Sequence, residues 1–103
     1  MAEEPSPEAL ALHHRSLVID NLVTGPSSER TLDNLRAGGV RAGNWTVAGH
    51  TDSFEGALMK MEERRWMFAK YPEKAALALC AADVERISSE GRFAAFFGFQ
   101  TTW

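Results

Sequence analysis

The chain has 103 residues, of which 45% are hydrophobic and 24% charged, with a formal net charge of -3 at pH 7. This composition is typical of one small globular domain and unlike that of a disordered tail. No Lys/Arg-rich block, signal-peptide pattern or apolar run of roughly 18 residues occurs, so we expect neither a nucleic-acid nor a membrane partner and predict a cytoplasmic location.

The N-terminal part of the chain predicts a helix that leads into a strand. Residues 1–8 carry two prolines and three glutamates, so we expect a flexible lead-in, with the domain itself spanning 9–103. A short helix over 8–15 precedes an apolar strand over 16–20. The glycine, proline and serine residues of 21–29 then predict a loop.

The middle of the chain predicts a short helix, a strand and the longest helix. The short helix covers 31–37 and ends at Gly38, and the strand covers 40–47. The long helix is expected to begin at Asp52, which forms a capping-box spacing with Glu55, and to end before Pro72. Its charged run 62–65 is expected to face water, because an apolar stripe at helical spacing is formed by Phe54, Leu58, Met61 and Phe68.

The remaining residues predict a strand over 75–80, a helix over 81–90 and a strand over 93–99. Strands that alternate with helices are typical of β-α-β units, so we predict the α/β class with four parallel strands. Ligands of parallel sheets gather where the strands end, whether the sheet is open or closed. Candidate functional residues should therefore lie in the segments 20–24, 46–52, 80–83 and 100–103.

Few side chains in these segments indicate chemistry. His13 and His14 are adjacent and precede the first strand, so they are expected at the opposite end of the sheet and not to share a metal ion. His50 lies in a strand-to-helix loop, where an imidazole is either an acid, base or ligand or an ordinary loop residue. Cys80 has no partner for an internal disulfide, and we expect a buried or capping role for it rather than redox activity. Asp20 ends an apolar strand, so its carboxylate is expected to be hydrogen-bonded or functional.

Three segments carry a resemblance to a known family. They are Ile19-Asp20, the turn Leu35-Arg36-Ala37-Gly38-Gly39-Val40, and the stretch from Glu90-Gly91-Arg92 to Phe97-Gly98-Phe99. In this order and spacing, residues 9–103 resemble the first third of the membrane (renal) dipeptidase family. The resemblance implies the N-terminal half of a TIM-like (β/α)8 barrel and a metallohydrolase that cleaves dipeptides with two zinc ions.

The zinc-binding positions of that family do not carry over to this chain. Its first-strand His-x-Asp falls on Leu22 and Thr24, and its metal-bridging glutamate falls on Gln100. The leucine side chain has no donor atom for zinc, and the neutral amide of glutamine is a poor bridge between two dications. We therefore predict no two-zinc site in this chain, and we expect the chain alone to be inactive.

Two hypotheses follow. The first is a fragment of a longer dipeptidase-like hydrolase, in which a small peptide-like substrate is bound through hydrogen bonds by Asp20, Asn44, Gln100 and Thr101. The second is a small non-catalytic α/β module that forms a homo-oligomer through an open strand edge.

Overall fold

The computed structural model describes residues 3–49 and 52–100, and within them four helices alternate with four strands. In chain order these are α1 (Pro7–Arg15), β1 (Val18–Val23), α2 (Glu29–Ala37), β2 (Val40–Ala48), α3 (Phe54–Lys70), β3 (Ala75–Leu77), α4 (Ala81–Ser89) and β4 (Phe93–Phe99). All strand pairs are parallel. The predicted α/β class is confirmed, and the alternation agrees with part of a TIM-like barrel.

The spatial order of the strands is β1-β2-β4-β3. The three-residue β3 pairs only with the first half of β4, from Ala75 opposite Phe93 to Leu77 opposite Ala95. The strand predicted over 75–80 is therefore shorter than expected. Because β4 lies between β2 and β3, it is covered on both edges, while β1 has one open edge.

Two apolar clusters cover the two faces of this sheet. On one face α2 and α3 contribute Leu32, Met67 and Phe68, which pack against Trp45 of β2 and Phe93 of β4. On the other face α4 contributes Ile87, which packs with Ala42 and Ala94. Neighbouring residues of a strand point to opposite faces, so the positions of Phe93 and Ala94 place α4 across the sheet from α2 and α3.

Serine residues begin three of the helices. Ser6, Ser28 and Ser53 precede α1, α2 and α3, and each Oγ accepts a hydrogen bond from the backbone N–H three residues later. The prediction that Asp52 caps the long helix is therefore wrong. Its neighbour Ser53 holds that position, which leaves the Asp52 carboxylate for other contacts.

The buried face of α3 also differs from the predicted stripe. Phe54 is 68% exposed and Leu58 49% exposed, whereas Arg64, predicted to face water, is only 6% exposed. The stripe continues correctly only at Phe68, which lies beside Met67 in the core. Apolar residues occur on several sides of this helix, so their spacing alone does not fix the packed face.

The first strand extends beyond its predicted end at residue 20. Asp20 pairs with Gly43 and Val23 with Trp45, so three residues of β1 oppose two of β2, as in a β-bulge. The predicted loop over 21–29 therefore begins only after Val23.

Among the described residues, no helix combines the length and hydropathy that crossing a bilayer requires.

Candidate functional site

Asn44 of β2 lies on the sheet face that also carries α4. Its register partner is Phe96. A Cβ atom placed on Gly98 would lie 2.0 Å from Asn44 Oδ1, so the glycine leaves the space that the amide occupies. The oxygen is buried and has no hydrogen-bond partner among the described residues. A buried acceptor without a donor is costly, so this is a site where a ligand N–H would be favourable.

Asp20 does not lie beside Asn44 on that face. It pairs with Gly43, the residue before Asn44, and paired residues of parallel strands point to the same side. Asp20 Oδ1 accepts a hydrogen bond from the backbone N–H of Leu22 at 2.9 Å. The expected hydrogen bond is thus present, and the carboxylate fixes the bulge at the end of β1.

Gln100 follows β4 at the carboxyl edge of the sheet. Its backbone N–H donates to the carbonyl of Ala48 at 2.9 Å, which extends the pairing of β4 with β2 by one step. The side chain is exposed. Thr101 and His50, the other residues predicted at this edge, lie outside the described residues.

Asp52 holds the end of β2 against α3. Its Oδ2 accepts hydrogen bonds from Gly49 N and from Lys60 Nζ, both at 2.7 Å. The hydrogen bond from Lys60, followed by that from Gly49, lowers the pKa of the Asp52 carboxyl below its usual range. The spacing from Asp52 to Glu55 predicted a helix cap at Asp52. The adjacent Ser53, a residue with about the same capping preference as aspartate, takes that position, and its presence was the signal for the alternative.

Arg64 is a buried cation next to this cluster. Its guanidinium lies 5.3 Å from the ring centre of Trp45, and Nη1 donates to the carbonyl of Lys60 at 3.4 Å. In the part of the chain that the structure describes, the Nε atom is buried without a hydrogen-bond partner. Burial lowers the pKa of Arg64, while the charges of Glu63 and Asp52 oppose that shift. The residue packs through its stem and its cation-π contact rather than through an ion pair.

The histidine pair and the cysteine take up ordinary structural positions. His13 Nε2 lies 2.5 Å from the carbonyl of Gly38, beside the start of β2 and away from the carboxyl edge. Its ring meets that of His14 edge-on, with centroids 5.6 Å apart. Cys80 occupies the N-cap position of α4, although its side chain makes no capping hydrogen bond, and it is exposed. Of the two expected roles, a buried thiol is therefore wrong, whereas the place at the start of the helix agrees with a capping position.

The described residues do not fit a two-zinc site. Leu22, which the resemblance predicts at a ligand position, is 55% exposed and has no donor atom. Gln100 offers only an amide, and Thr24 only a hydroxyl. No group of three or more His, Cys, Asp or Glu side chains in residues 3–49 and 52–100 is placed to hold a metal ion. The side chains at positions 22, 24 and 100 do not supply the imidazole and carboxylate ligands that a two-zinc arrangement requires.

Comparison with known proteins gives a structural likeness alone. No protein-family model and no curated protein matches this sequence. An amidohydrolase from Pseudomonas aeruginosa superposes with a TM-score of 0.83 at 23% identity, over 88% of this chain and 28% of that one. The probable dipeptidase PvdM from the same organism gives a TM-score of 0.71 at 20% identity, over 89% of this chain and 30% of that one.

The chain therefore spans less than a third of the length of either protein. At these identities the likeness establishes the fold. The chain shares its fold with part of an amidohydrolase and with part of a probable dipeptidase.

Proposed function

We propose that this chain is part of a longer dipeptidase-like hydrolase related to the membrane dipeptidase family. The observation that carries the proposal is the fold likeness to an amidohydrolase over 88% of the chain. The Leu35-to-Val40 turn and the Glu90-to-Phe99 stretch, which resemble that family in order and spacing, support it independently of the superposition.

The proposed substrate is a small peptide or related amide. Asn44 Oδ1, in the middle of β2 and beside Gly98, is a buried acceptor without a donor among the described residues, and the exposed Gln100 amide follows Gly98 by two residues at the end of β4. An amide substrate offers both N–H and C=O groups, so it complements two side-chain amides. Thr101 is proposed as a third polar contact, and Asp20 as the residue that holds the end of β1 in place.

Zinc enters this proposal only as the family's cofactor. In the family it activates a water molecule for attack on the scissile carbonyl. Since Leu22, Thr24 and Gln100 do not form the family's donor set, we derive no zinc-dependent step for this chain. The contribution of the described residues is to bind and orient the substrate at the carboxyl edge of the sheet.

The test is hydrolysis of a dipeptide panel by the purified full-length gene product. We expect cleavage, and we expect Asn44→Ala to raise KM by roughly twofold to tenfold, the worth of one neutral hydrogen bond. Asn34→Ala, which removes an exposed amide on α2, is the matched control and should leave KM unchanged. Absence of dipeptide and amide hydrolysis, or equal effects of the two variants, would contradict the proposal.

A second candidate, the self-associating module, is favoured by the open edge of β1. Leu17, Ile19 and Leu22 on and beside this strand are 43%, 48% and 55% exposed. An exposed edge with apolar side chains is a template for pairing with a second chain. Sedimentation of the 103-residue chain should then show concentration-dependent dimers that Ile19→Lys disrupts, without hydrolysis by any form of the protein.

A further inference from the structure

A cavity of about 250 Å³ opens at the amino-terminal edge of the sheet, where β2 and β4 begin. This is the edge opposite Gln100, which follows the end of β4. The cavity lies beside the last turns of α2 and α4. Its wall carries mostly cationic and polar side chains, which include His14, Arg36, Arg41, Ser88 and Arg92, with Phe93 as an apolar neighbour.

The three arginines give the cavity an excess of positive charge. Arg92 is paired with Glu90 at 2.7 Å, but within the described residues neither Arg36 nor Arg41 has a carboxylate partner. Three guanidinium groups and one carboxylate leave two positive charges uncompensated. The protein as a whole is acidic, with a net charge of -3, so this cavity reverses the overall sign.

Within residues 3–49 and 52–100, Arg36 and Arg41 each use one of their donors. Arg36 donates to the carbonyl of Gly91 at 3.3 Å and Arg41 to that of His14 at 2.9 Å. Each guanidinium has five N–H donors, so each keeps donors for another acceptor. The same two bonds satisfy carbonyls near helix ends, whose partial negative charge would otherwise oppose an anion.

Ser88 is a further polar group in the wall. It is only 7% exposed, and its Oγ is buried without a hydrogen-bond partner in the described chain. A buried hydroxyl that the chain itself does not satisfy is uncommon in folded proteins. Together with Arg36 and Arg41, which have no carboxylate partner among the described residues, it indicates a wall that an acceptor-rich ligand would complete.

We propose that this cavity binds a dianionic oxyanion of the phosphate class, either inorganic phosphate or the phosphate group of a small ester. Two uncompensated guanidinium groups on different elements match the charge of a phosphate dianion and its several acceptor oxygens. A monocarboxylate would leave one of the two cations uncompensated. The site is separate from the proposed peptide-binding edge and does not depend on it.

The test is a calorimetric titration of the 103-residue chain with inorganic phosphate at constant ionic strength. We expect saturable binding of one phosphate per chain. Arg36→Gln and Arg41→Gln should each weaken binding about tenfold or more, because each removes charged hydrogen bonds. Arg30→Gln, which removes an exposed arginine from the same helix as Arg36, is the matched control and should leave the affinity unchanged.

Further titrations identify the ligand class. A small phosphate ester that binds more tightly than phosphate would show that the site accepts an organic group, and equal affinity would indicate the free ion. Acetate that binds as tightly as phosphate would overturn the assignment to the phosphate class. Non-saturable binding, or equal weakening by Arg30→Gln and Arg36→Gln, would overturn the site. Should Arg41→Gln fail to fold, the exposed Arg36 still decides the result.

Discussion

Gly43→Ala should destabilise the protein, because the position has no room for a methyl group. A Cβ atom at Gly43 would lie 2.6 Å from Val23 Cγ2 and 2.9 Å from Phe93 Cζ. Ordinary carbon contacts are about 3.5 to 4.0 Å, so both approaches are too close by roughly 0.6 to 1.4 Å. Val23 is 4% exposed and Phe93 1%, so neither can move into solvent.

The size of the effect follows from two opposing contributions. Overpacking a core costs about 1 to 3 kcal/mol, and replacing a strand glycine by alanine returns about 0.5 to 1 kcal/mol. We therefore expect Gly43→Ala to lower the free energy of unfolding by about 1 kcal/mol, within limits of about 0 and 2.5 kcal/mol. Removing the Val23 methyls should recover part of that loss, so Val23→Ala should cost about 1 kcal/mol less in the Gly43→Ala background than in the parent.

Urea unfolding followed by far-UV circular dichroism measures all four proteins of this cycle. Gly91→Ala is the control, since its φ of 77° penalises alanine while a Cβ there meets nothing within 4 Å. Its cost should add to that of Val23→Ala without coupling. If Val23→Ala costs the same with and without Gly43→Ala, then Val23 does not lie over Gly43, and the β1-β2 register that places Asp20 is refuted.

Three further predictions test the carboxyl edge and the helix beside it. The stability that Asp52 gains from its lowered pKa is present above the usual value near 3.8 and is lost as the pH falls through the folded value. Asp52→Asn should therefore flatten the fall of the urea midpoint below about pH 5 and leave its slope between pH 5 and 7 unchanged. Arg64→Met should be almost neutral, whereas Arg64→Ala should lower the unfolding free energy by about 1 to 3 kcal/mol through lost packing on Trp45; equal urea midpoints for the two variants would contradict this. The triple substitution Leu22→His, Thr24→Asp and Gln100→Glu should raise zinc binding by the full-length protein, measured by metal analysis after dialysis. No gain in bound zinc would show that the site is misplaced.

Local signals predicted the elements of this fold well. Gly38 and Pro72 marked helix ends that the structure reproduces to within two residues, and the strand over 93–99 has the predicted bounds. These signals work because caps, glycines and prolines act on the backbone within one turn. The parallel sheet followed from the alternation of the two patterns.

Contacts between distant residues were not predictable in the same way. Arg64 is buried because its stem and guanidinium pack against Trp45, nineteen positions earlier, and a charged run gives no sign of that. The bulge that extends β1 depends on the hydrogen bond between Asp20 and Leu22 and on pairing with β2. The separation of Asp20 from Asn44 follows from this register, which cannot be predicted from the sequence of β1 alone.

The intact mass of the gene product from its source cells tests the central proposal most directly. A fragment of a dipeptidase-like hydrolase predicts a mass several times the 11.4 kDa of this chain, with these residues forming the opening part of a longer hydrolase. A product with a mass near 11.4 kDa would contradict that proposal and leave self-association through β1 as the account to pursue.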